Sequence, residues 1–139
     1  LDVAECVFCR IVSGQLPAHV VHEDDLVLAI MDIGHVNPGH TLVLSKMHVE
    51  TLMEADEDLA AHMFRIANRL AKAMEEAFQC DGVTVLQANR PAGFQTVPHF
   101  HLHVLPRNDK DGVELVWPAK NPSRDLLTRY AASLRVLLD

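Results

Sequence analysis

Three histidines carry the strongest chemical signal. His99, His101 and His103 alternate with Phe100, Leu102 and Val104, between Pro98 and Pro106. A period of two is that of a strand, so Phe100, Leu102 and Val104 are expected to face a core and the imidazoles the opposite side. The rings then follow one another at steps of about 6.6 Å, which leaves His99 and His103 about 13 Å apart. One ion cannot be held by that outer pair. Neighbouring rings could share a metal. Alternatively they divide labour, with one nucleophile and neighbours that orient it, bind an anion or move protons; imidazole suits such work because it titrates near neutrality.

Cys6 and Cys9 form a Cys-x-x-Cys pair with three readings: a zinc half-site, a redox couple, or two small buried residues. His48 and His99 are the histidines that could complete a tetrahedral set. No βαβ pattern surrounds the pair, which disfavours the redox reading. Cys80 reads as structural. Gln95 and Thr96, just before the triad, offer an amide, a hydroxyl and backbone N–H groups suited to a phosphate. Asp32 ends an apolar run and could bind sugar hydroxyls, while His40 opens another run and could approach the triad. Gly34 and Gly39 have the spacing of a phosphate-binding P-loop, but histidine replaces its lysine, Pro38 removes an amide, and a strand pattern follows. That reading is rejected. Arg107 reads as a solvated charge.

The elements that must position these residues follow from periodicity. Val20–Glu23, Leu26–Asp32, Thr41–Ser45 and Val83–Gln87 are strand-like runs, with a hairpin turn at 23–25. Leu59, Met63, Ile66, Leu70, Ala73 and Ala77 recur at steps of three and four, predicting an amphipathic helix over 56–79. Asp56 is its N-cap and Gly82 its terminator. Residues 6–12 form a short apolar turn or helix, and 108–112 a solvated turn. Residues 113–117 form a short strand, and a final helix follows a Ser123 cap. Strands joined by tight turns, with one long helix between them, predict an α+β domain on an antiparallel sheet with one face packed and one open.

The chain has 139 residues, read as a single domain over 1–139. Its net charge of −7 argues against nucleic acid and anionic membranes as partners. No apolar run is long enough to span a membrane, and no secretory signal is visible. Three cysteines do not make a secreted disulfide framework, so a reducing cytoplasm is expected.

The sequence resembles the histidine-triad (HIT) nucleotide-binding family, of bacterial Hint-like type. Residues 99–105 match its His-φ-His-φ-His-φ-φ mark, where φ is apolar. Supporting matches are residues 6–11, 29–33, 37–43 and 95–97, in the family's order; the last thirty residues match poorly. The resemblance implies a sheet of about five antiparallel strands, one long helix and a C-terminal helix, in a homodimer. It implies cleavage of nucleoside phosphoramidates or related conjugates at the α-phosphate, through a nucleotidyl-histidine intermediate and without a catalytic metal. His101 would be the nucleophile. His103 would hold phosphate oxygens and the leaving group, His99 would orient His101 through the backbone, and His40 is the additional upstream histidine. Gln95 and Thr96 would contact phosphate, and Asp32 the ribose. Val7, Phe8, Ile11, Ile30 and Ile33 would sandwich a purine base. Cys6, Cys9, His48 and His99 would hold a structural zinc. Two positions depart from the family: Phe94 stands where a small residue is common, and Ala88 where Asn or Gln is common. Asn89, one place later, is the expected substitute as a phosphate contact. The rival readings are a Fhit-like dinucleoside polyphosphate hydrolase and a nucleotide-binding module with little turnover.

Overall fold

Runs of β-branched and aliphatic residues at 20–23, 27–31, 41–45, 82–86 and 101–107 form the strands of one antiparallel sheet. The structure is a computed structural model and describes residues 3–138. The strands are β1 (Val20–Glu23), β2 (Val27–Met31), β3 (Thr41–Ser45), β4 (Gly82–Leu86) and β5 (His101–Arg107), in the spatial order β1-β2-β3-β5-β4. The helices are α1 (Val7–Val12), α2 (Glu57–Phe78) and α3 (Arg124–Leu138).

α2 carries its apolar residues on one stripe. Leu59, Met63, Ile66, Ala67, Leu70 and Met74 pack on Val27, Ala29, Val43, Phe100, Leu102 and Val104. Each strand residue in that set alternates with one that points the other way. Leu28, Ile30, Leu42 and Leu44 project from the opposite face and are covered by Cys6, Phe8 and Cys9 of the N-terminal segment. The central strands are thus buried on both sides, which explains why β2 and β3 read as continuous apolar runs. The expectation of an open histidine face is corrected: α1 roofs its middle, so His99 is 0 % and His101 5 % exposed.

Asp56 caps α2 by accepting from the Leu59 amide at 2.7 Å, with Glu57 and Asp58 in the first turn. The helix ends where expected, but its terminator is a different residue. Gln79, not Gly82, takes the left-handed cap conformation at φ 51°, and Gly82 is already the first residue of β4, opposite Arg107. β5 starts at His101, while His99 and Phe100 lead into it. The Phe100 amide donates to Val49 O and its carbonyl accepts from Ser45 N.

Residues 113–117 form no strand; they run as an irregular arm to Ser123, whose hydroxyl caps α3 through the Leu126 amide. The turn at 108–112 is not merely solvated. Asp111 receives hydrogen bonds from Arg107, Asn37, and the amides of Asn108 and Val113. α3 buries none of its residues against the rest of the chain. Among the described residues, no helix is long and apolar enough to cross a membrane.

Candidate active site and metal centre

The pleat divides the three histidines between two sites. Register pairs Leu42 with His103 and Leu44 with His101, so these four residues share the face that α1 covers. His99, just outside the strand, turns toward the N-terminal cysteines. Its Nε2–H donates to Ser45 O at 2.6 Å, which fixes the tautomer and leaves Nδ1 unprotonated. That Nδ1 lies 3.2 Å from Cys6 Sγ, 3.5 Å from Cys9 Sγ and 3.3 Å from His48 Nδ1. His48 Nδ1 in turn lies 3.1 Å from Cys9 Sγ.

Four ligand atoms therefore face one point, all within 4.8 Å of one another. A tetrahedral zinc with ligands at about 2.0–2.3 Å needs separations of roughly 3.3–3.8 Å, so the cluster fits a metal ion after a small expansion. Burial, together with the Cys6 thiol beside it, pushes Cys9 up to about 11. Two buried thiols at this spacing suit replacement of their protons by a divalent cation. Burial also pulls His99 down to about 4, keeping it neutral as a metal ligand must be.

His101 and His103 belong to a second arrangement. His101 Nδ1–H donates to the His99 carbonyl at 2.6 Å, so Nε2 is the unprotonated nitrogen. His40 Nδ1 accepts from the Val36 amide, so His40 Nε2 carries a proton and donates it to His103 Nδ1 at 2.9 Å. His103 therefore carries its own proton on Nε2. A lone pair on His101 thus stands beside an N–H on His103, with ring centres 5.0 Å apart. Burial lowers the pKa of both, that of His103 to about 4 with the neighbouring imidazoles adding to the effect. Burial lowers His40 too, against the pull of Asp32, whose Oδ2 lies 3.5 Å from His40 Nε2. The site at neutral pH is one of uncharged imidazoles.

Both rings open on a cavity of about 290 Å³. Its walls include Val7, Phe8, Ile11, Ile30, Ile33, Asp32 and Thr96, all singled out from the sequence. Phe8 sets its ring edge-on to His101 with centres 5.0 Å apart. The arrangement joins an apolar slot to a carboxylate, a hydroxyl and a nucleophilic nitrogen, the pattern of a small-molecule site.

Asn89 and Gln95 are not brought to this cavity. Asn89 Oδ1 accepts from the Leu52 amide, and its amide nitrogen donates to Gln87. Gln95 donates to Glu50 O and accepts from the Arg90 amide. Arg90 stands at φ 62°, ψ 165°, a conformation costly for any residue with a Cβ. Gln95 therefore braces a strained turn. Pro17, Ala18, Met31, Leu42 and Val97 also line the cavity and escaped the sequence reading. Leu42 and Val97 could have been found from two-residue periodicity relative to the triad face. Pro17 and Ala18 carry no such signal.

Comparison with known proteins agrees with this geometry. The HIT domain family model matches residues 13–110. The adenosine 5'-monophosphoramidase of Saccharomyces cerevisiae is 34 % identical over 140 residues, covering 100 % of this chain and 85 % of its own. A crystal structure of a HIT family protein from Bacillus anthracis superposes with a TM-score of 0.92 at 33 % identity, over 97 % of this chain and 98 % of that one. A zinc-bound histidine triad family protein from Mycobacterium smegmatis superposes with a TM-score of 0.77 at 37 % identity, over 92 % and 91 % of the two chains. The order of strands, the alternating imidazoles and the span of these matches lead to one conclusion: the chain belongs to the HIT family.

Proposed function

We propose that this protein is a nucleotidyl hydrolase that cleaves nucleoside phosphoramidates, or related nucleotidyl conjugates, at the α-phosphate. The observation that carries the reading is the paired tautomer: a bare Nε2 on His101 beside an Nε2–H on His103. The nucleoside occupies the 290 Å³ cavity, with a purine between Phe8, Ile11, Ile30 and their neighbours and the ribose at Asp32. His101 Nε2 attacks phosphorus and the P–N bond to the leaving amine breaks. The amine departs neutral because its nitrogen takes a proton from solvent while still bonded to phosphorus, and the neutral His103 ring keeps its Nε2–H as a hydrogen-bond donor to the phosphoryl group. Water then attacks the phosphorus of the nucleotidyl-His101 intermediate, its proton passes to solvent, and the P–Nε2 bond breaks to release the mononucleotide. The His99 carbonyl holds the attacking ring in orientation and stabilises positive charge that builds on it. Thr96 and His103 supply donors to the phosphoryl oxygens. The Saccharomyces monophosphoramidase supports this substrate class.

Zinc at Cys6, Cys9, His48 and His99 acts as a structural staple in this reading, supported by the zinc-bound Mycobacterium relative. The protein works as a homodimer. Among the described residues β4 ends the sheet with one edge unpaired, and α3 exposes Tyr130, Leu134 and Leu137, so a second copy has an edge and an apolar helix to cover. Light scattering reads the mass directly, and a monomer at micromolar concentration would refute that assignment.

The test of the reaction is single-turnover cleavage of adenosine 5'-phosphoramidate with a rapid quench. A phosphorylated-histidine species should appear and decay in the parent and be absent in His101→Asn, whose turnover should fall at least about a thousandfold. Equal turnover by parent and variant overturns the nucleophile assignment. Tight mononucleotide binding with no cleavage of any conjugate would instead mark a binding module.

A further inference from the structure

A second cavity, of about 240 Å³, lies on the far side of His103. It shares His103 with the nucleotide cavity, reaches His40, and does not include His101 or Phe8. Its apolar walls are Val36, Leu86, Leu105, Val113 and Leu115, and Thr84 and Arg107 complete the lining. Leu86 and Leu105 rise from β4 and β5, whereas Val113 and Leu115 come from the arm after the turn at 108–112.

The arm is held in place by a built device. Asp111 forms a two-pronged ion pair with Arg107, at 2.7 and 3.2 Å, and accepts from the Val113 amide at 3.0 Å. Asn37, buried, donates from one amide nitrogen to Asp111 and to Pro106 O. Arg107 also donates to Val113 O at 2.7 Å and to Thr84 Oγ1 at 3.1 Å. The one cation on the cavity wall among the described residues is thereby compensated by Asp111 and has its nitrogens engaged.

We infer that this second cavity receives the leaving group, and that it selects uncharged apolar amines over polar or polyanionic ones. The inference rests on the reaction proposed above. Phosphorus bonded to His101 has the nucleoside on one side, in the first cavity. The group that departs must leave past His103, whose N–H faces the reacting phosphorus, and the space beyond His103 is this apolar chamber. A polyphosphate entering it would meet five aliphatic side chains and two neutral imidazoles, with no free cation to offset its desolvation. An alkyl or aryl amine would instead bury apolar surface.

The experiment uses the full-length protein and two adenosine 5'-phosphoramidates of matched size and similar amine basicity, made from pentylamine and from 4-aminobutan-1-ol. The pentyl conjugate should have the higher kcat/KM by about tenfold. In Leu115→Asp that ratio should fall to about one, and in Leu115→Met it should persist; Leu115 is half exposed, so neither change threatens folding. The Kd values of both conjugates for His101→Asn, measured by calorimetry, should show the same tenfold preference. A parent ratio near one overturns the inference, as does a ratio untouched by Leu115→Asp. So does faster cleavage of a diadenosine polyphosphate than of the pentyl conjugate. If neither conjugate is cleaved but the pentyl one still binds about tenfold tighter, the subsite stands and the proposed reaction falls.

Discussion

A buried imidazole is defined by what its two nitrogens face. His99, His101 and His103 are the same residue type on one short segment, yet each is fixed differently by its neighbours: the Ser45 carbonyl, the His99 carbonyl and the His40 N–H. Period two predicted their common face but not this division, because the partners lie 54, 2 and 63 residues away along the chain. Arg107 and Asp111 show the same limit. Read singly they are surface charges; in the fold they anchor the arm over the second cavity. Arg107 beside it, aided by the Val113 amide, holds the Asp111 carboxyl far below the usual carboxylate range. A carboxyl depressed in the folded state adds stability that is complete above its unfolded value and fades as pH falls beneath it. Asp111→Asn should therefore lower the melting temperature at pH 7, and the gap to the parent should narrow as pH is taken below about 4. Thermal melts across that range read this out, and a gap that widened in acid would count against the ion pair as the cause.

At the scale of elements, α2 and the strands were legible because their cores are built from strict periods. Leu59, Met63, Ile66 and Leu70 keep the helical step, and Thr41–Ser45 was bounded correctly from β propensity alone. Ends were less legible. Gln79 closes α2 in a conformation that favours glycine, and Gly82 is already the first residue of β4. The arm at 113–117 looked like a strand from its Val, Leu and Trp content, but β4 already occupies the edge of β5 to which it could have paired. The turn before β3 illustrates what a sequence pattern hides. Gly39 has φ +93°, and a Cβ there would lie 2.6 Å from the Phe78 ring, so the last turn of α2 presses on that loop. Gly39→Ala should cost about 1–3 kcal/mol, from contact and backbone strain together. Phe78→Ala, at a half-exposed position, should recover the contact part and leave the strain. A double-mutant cycle by chemical denaturation gives the coupling. Strict additivity of the two changes would show that Phe78 does not press on the loop.

For the whole molecule, the Cys/His cluster and the cavity beside His101 lie on two sides of the same segment. Cys6 and Cys9 hold one side of α1 to His48 and His99, while Val7, Phe8 and Ile11 on its other side form the cavity wall. α1 has only six residues, too short to be stable alone. Its place therefore depends on the Cys/His cluster and on Phe8 and Cys9 in the core. The link was visible in the sequence only through the family resemblance, which implied both roles of His99; periodicity alone gave the triad and the Cys-x-x-Cys pair as separate features. Removing the metal should accordingly do more than lower stability. Protein stripped with a strong chelator should melt at a lower temperature and bind adenosine monophosphate at least about tenfold more weakly, although His101 and His103 remain. Restoring zinc should return both properties together, at one metal per chain by elemental analysis. A stripped protein with undiminished nucleotide affinity would separate the staple from the pocket, and α1 would then have to be held by its apolar contacts alone.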